Sequence, residues 1–110
     1  LTFPSFSEEA RPMAELRMGM IFDHFDIIKE LHEQLLFCET GHEYLVSHIL
    51  KHIEYIDDHV DSILVKYMMC HSREENSKML SYFENDYIHT IGSVMKYING
   101  NSSTTQIMYL

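Results

Sequence analysis

The chain has 110 residues, 45% of them apolar, and its 17 acidic and 8 basic side chains leave a net charge of −9 at pH 7. That much apolar material makes one small domain with a core of its own and excludes a disordered chain, while the negative balance repels phosphate backbones and anionic lipid. Only 4 Gly and 2 Pro occur, which favours long uninterrupted helices over a turn-rich sheet.

The first residue is Leu1 rather than Met, which points to a fragment or a processed product. No basic stretch followed by an apolar core opens the chain, and no apolar run approaches the ~18 residues of a membrane span. The expectation is an intracellular protein, cytoplasmic or nuclear, that uses neither nucleic acid nor membrane as partner.

Residues 1–10 read as a lead-in, with the two Phe residues of LTFPSF available to dock on the domain. Ser7, Glu8 and Glu9 resemble a helix start, with carboxylates near the positive end of the dipole. Pro12 either sits in the first turn of a helix or separates a short preliminary helix from a long one. Helix 1 is expected over residues 12–38, with Met18, Ile21, Phe25, Ile28 and Leu35 on one face and Ile27 and Leu31 broadening it.

Gly41 marks the break before helix 2, expected over 42–71. There Val46, Ile49, Ile53, Ile56, Val60 and Ile63 are spaced alternately by three and four, and Tyr67 and Cys70 continue the series. This is a heptad seam and the candidate interface, either with neighbouring helices or with a second chain.

Ser72 with Glu75 three residues on has capping-box spacing and opens helix 3, expected over 73–99. Its apolar positions are Met79, Leu80, Phe83, Tyr87, Ile91, Val94 and Ile98. Residues 100–110 form a polar tail with an apolar end, and Asn101-Ser102-Ser103 fits a glycosylation acceptor. The fold class is therefore all-α, an antiparallel bundle of three long helices, with or without a short fourth at the N-terminus. A monomeric bundle and a dimer sharing its long helices both satisfy the pattern.

A hairpin folding near residue 40 puts Cys38 beside the turn and Cys70 at the far end of helix 2. That separation far exceeds the ~7 Å limit for Cα atoms of a disulfide, so both thiols are expected to be free. Along helix 2, His48, His52, Tyr55 and His59 fall at spacings of four, three and four and share one stripe beside the seam. The same hairpin brings His32 level with His48, so that His32, His48 and His52 form a candidate metal set of three imidazoles from two helices. The other reading of the stripe is a pH-responsive solvated flank.

GHEYLVSHILKH, residues 41–52, resembles the central helix of histidine-containing phosphotransfer domains, whose core motif is HxLKG. His48, Leu50 and Lys51 match it, and the resemblance implies a phosphate acceptor at His48 with Lys51 as its electrostatic partner. Where that family has Gly and then a small residue, this chain has His52 and Ile53. Residues 21–36, IFDHFDIIKELHEQLL, resemble an early helix of Dbl-homology exchange-factor domains.

No Ser/His/Asp arrangement, paired catalytic carboxylates or phosphate-cradling glycine loop is present. The functional expectation is a non-catalytic helical module that binds a protein partner or forms a homodimer, with no cofactor. Phosphotransfer through His48 and metal binding are the alternatives.

Overall fold

The computed structural model describes residues 4–100, with side chains from residue 9 onward. The expectations for residues 1–3 and for the tail, including the sequon at Asn101, lie outside the described residues. All described secondary structure is helical: α1 (Pro4–Phe37), α2 (His42–Cys70), α3 (Arg73–Tyr82), a π-helical turn (Phe83–Tyr87) and α4 (Ile88–Gly100).

The N-terminal lead-in is a correction. Helix α1 begins at Pro4, and Pro12 lies inside it, so there is neither an extended stretch up to residue 10 nor a separate fourth helix there. Pro4 at the first helical position lacks only an N–H that would have no intrahelical partner. Pro12 removes one backbone bond, to the carbonyl of residue 8, and lies at an exposed position.

The α1–α2 break falls at Gly41, whose φ of 79° and ψ of 15° lie in the left-handed region that a side chain disfavours. The α2–α3 break is made by Ser72. Its hydroxyl accepts from the Glu75 N–H at 3.1 Å, and the Glu75 carboxylate accepts from the Ser72 N–H at 2.9 Å, the reciprocal capping box that the spacing predicts.

Helix 3 differs from expectation in the middle. Met79, Phe83, Tyr87 and Ile91 are four residues apart, and in an α-helix each such step advances the apolar face by about 40°. Three steps would carry the face away from the core. The π turn takes up the excess, closing with the Ile88 N–H on the Phe83 carbonyl, and leaves both Phe83 and Tyr87 buried.

The chain runs up, down and up. Glu15 meets His71, and His24 meets His52, so α1 and α2 are antiparallel. Phe22 meets Tyr82 and Leu35 meets Tyr97, so α3 and α4 run alongside α1 in its own direction. The result measures 55 × 21 × 20 Å. Its core is one continuous column: Met18, Ile21, Phe25, Ile28 and Leu35 from α1, Leu45, Ile49, Ile56 and Ile63 from α2, then Phe83, Tyr87, Val94 and Ile98.

Candidate functional site

The α2 seam turns inward. Ile49, Ile56 and Ile63 are buried in the column, while Val46, Ile53 and Val60 are partly buried against it. These six side chains thus spend their apolar area inside the chain, and only the edges of the second three remain for another molecule. Cys38 and Cys70 are both free; the Cys70 thiol donates to the Lys66 carbonyl at 3.2 Å, so it behaves as a buried helical residue rather than a nucleophile.

The histidine stripe is organised around a residue that the sequence reading did not single out. His24 of α1 places its Nδ1 2.9 Å from Nδ1 of His52 on α2. One imidazole donates N–H and the other accepts, which requires that at least one of the two rings be neutral. The His24 ring also stacks on Tyr55 with centroids 3.9 Å apart and planes at 22°. On α2 itself His59 stacks on Tyr55 at 4.2 Å, and its Nδ1 donates to the Tyr55 carbonyl at 2.8 Å. Burial, then the neighbouring His24 and His48, push the His52 imidazole below its ordinary pKa.

The hairpin arithmetic that sets His32 level with His48 also sets His24 within about a turn of His52, which places the two on facing stretches without fixing their contact.

The metal set is a correction. Among the described residues no three His, Cys, Asp or Glu side chains are grouped to hold an ion. His52 turns its Nδ1 to His24, His48 packs edge-on against Tyr44 at 4.4 Å, and His32 packs edge-on against Tyr97 at 5.7 Å. Each imidazole is held by a different ring neighbour, and the Nε2 of His32 is buried with no hydrogen-bond partner among the described residues. For the phosphotransfer residues, the structure places His48 half-buried and Lys51 exposed on the same helix.

A second polar cluster closes the other end of α1 against α2. Glu15 Oε2 lies 2.9 Å from His71 Nε2, and His71 Nδ1 donates to the Tyr67 carbonyl at 2.7 Å while its ring stacks on Tyr67 at 3.6 Å. Both partners of the ring are acceptors, so the doubly protonated imidazole satisfies both. Arg11 reaches Glu15 at 3.4 Å and Glu75 at 3.0 Å. The hydrogen bond from His71, with help from Arg11, holds the Glu15 carboxyl below its ordinary range against a smaller opposing effect of burial.

Beside this cluster an open cleft of about 450 Å³ lies between Phe22, Tyr67, Tyr82 and Met79, with Glu75 and Lys78 at its rim.

The outward face of α1 carries exposed large apolar side chains. Met13, Leu16, Met20 and Ile27 are spaced by three, four and seven, a single row on the side away from Met18, Ile21 and Phe25. At the hairpin end Phe37 is 82% exposed and Tyr44 68%. No helix among the described residues is long and apolar enough to cross a membrane. Comparison of the chain with protein-family models, with curated proteins and with solved structures returns no match.

Proposed function

We propose that this chain is a non-catalytic helical module that binds another protein surface, its own copy or a different partner, through the outward row of α1. The observation that carries the reading is Met13, Leu16, Met20 and Ile27, four large apolar residues exposed along one stripe, with two methionines that adapt to varied partner shapes. Such a row at helical spacing fits the anchors of helix-on-helix recognition. Exposed Val65 and Met68 on α2 add apolar area outside the column.

The test is native mass spectrometry and affinity capture with the wild-type chain and with the double variant Leu16→Glu, Met20→Glu. Both positions are exposed, so the variant keeps its helical circular dichroism and its melting temperature. An assembly formed by the wild type and lost in the variant supports the reading. An assembly that survives the two glutamates sinks it.

Phosphotransfer retains one supporting observation: His48 makes no hydrogen bond among the described residues. Incubation with acetyl phosphate followed by mass measurement tests it, and an unmodified His48 ends it.

A further inference from the structure

We propose that His24 and His52 form an acid-sensitive latch between α1 and α2, closed while they share one N–H and opened when the pair takes up its second extra proton. The argument is a proton inventory. In the neutral pair one Nδ1 carries hydrogen and the facing Nδ1 offers its lone pair across 2.9 Å. A first added proton goes to the outer nitrogen of the donor ring, and the shared bond survives with a charge behind it. A second proton has only the accepting Nδ1 to occupy. Two N–H groups and two positive rings then face each other at hydrogen-bond distance, and the contact becomes repulsive.

Among the described residues no ion pair joins His24 or His52 to a carboxylate. The charges that bear on His52 are those of His24, across the contact on α1, and His48, one turn earlier on α2. Tyr55, stacked between His24 and His59, adds an aromatic wall. The direction of the His52 shift agrees: burial comes first and the two neighbouring imidazoles follow, all opposing protonation.

The latch sits in the middle of the α1–α2 contact, next to the buried Ile21, Phe25 and Ile28 on one helix and Ile49 and Ile56 on the other. The far end is built differently: His71 faces the Glu15 carboxylate and the Tyr67 carbonyl, two acceptors and no second imidazole. Acid therefore loosens the centre of the hairpin first.

The experiment is amide hydrogen exchange on the whole chain from near pH 7 to about pH 5, corrected for intrinsic rates, in the wild type and in His24→Phe. Phenylalanine keeps an aromatic ring over Tyr55 and removes the shared nitrogen. In the wild type, residues 21–28 and 49–56 lose protection below about pH 6.5, by up to tenfold per pH unit for one proton. In His24→Phe the acid sensitivity is smaller, because the burial of His52 remains and the repulsion from the facing ring is gone.

Equal acid sensitivity in the two proteins overturns the latch. If the variant does not fold, imidazole nitrogen NMR on the wild type decides. Coupled titration of His24 and His52 in two steps, the second displaced to acid, supports the proposal, and two independent titrations at the ordinary histidine value overturn it.

Discussion

Tyr87 offers a substitution that should strengthen the fold by deleting a polar atom. Its side chain is buried at the end of the π turn, 8% exposed, and its ring packs edge-on against Phe25 at 5.1 Å and Phe83 at 5.7 Å. The hydroxyl is buried with no hydrogen-bond partner among the described residues. A buried polar group without a partner costs about 1–3 kcal/mol, so Tyr87→Phe, which keeps the ring and both edge contacts, should raise stability by about 1 kcal/mol or more. For a domain of this size that is roughly 4 °C in melting temperature.

A second signature of Tyr87 lies at high pH. Burial, with a smaller contribution from Asp57, pushes the phenol from 10.0 up to about 12. The folded pKa is raised, so the contribution is fully present below pH 10 and is lost as pH climbs towards 12, at about 1.4 kcal/mol per pH unit. Phenylalanine removes that alkaline loss. The assay is urea denaturation at pH 7 and at high pH, comparing midpoints at unchanged slope. A variant less stable than wild type at pH 7 would refute the reasoning, because the hydroxyl would then have to be satisfied in the native state.

Gly41→Ala should cost about 1 kcal/mol, since alanine must enter the left-handed region at φ 79°, and Gly41→Asn should recover part of it in thermal melts. Ser72→Ala removes one side of the capping box and should destabilise by about 1 kcal/mol in urea titrations, with faster amide exchange confined to the first turn of α3. Ile56→Ala, at a fully buried position, should cost roughly 2–5 kcal/mol, and a loss below about 1 kcal/mol would show that the seam is not packed as described. The Glu15 carboxyl is held low, so its contribution is present above pH 4.5 and is lost as acid titrates the native group; Glu15→Gln should flatten that part of the acid denaturation curve.

The fold was largely legible because its signals are local. The heptad from Val46 to Ile63, the Gly41 break and the Ser72–Glu75 box each name an element or a boundary, and all three stand in the structure. The N-terminal boundary misled because Pro12 is a helix breaker by propensity, yet at this exposed position it costs one backbone bond and the helix continues through it. The π turn was written in the repeated four-residue spacing around Phe83 and Tyr87, but it leaves no mark in composition.

The candidate site was harder to read. The stripe of His48, His52 and His59 follows from spacing within one helix, whereas the pairing of His24 with His52 depends on how far the two helices slide past each other. The imidazoles of His32, His48 and His52 share a neighbourhood in any hairpin model, and only the aromatic partners of each ring decide that they do not converge.

The 55 Å length of the bundle against a width near 20 Å has a consequence for how the molecule communicates. Each layer of the core touches only the layer before and the layer after, so a disturbance has one column of side chains to travel along and fades as successive layers absorb it. The hairpin end around Phe37 and Tyr44 and the opposite end around Glu15 and His71 are therefore only weakly connected through the core. Local opening is expected to start at both ends and reach the middle layers last, which amide exchange along the chain would show.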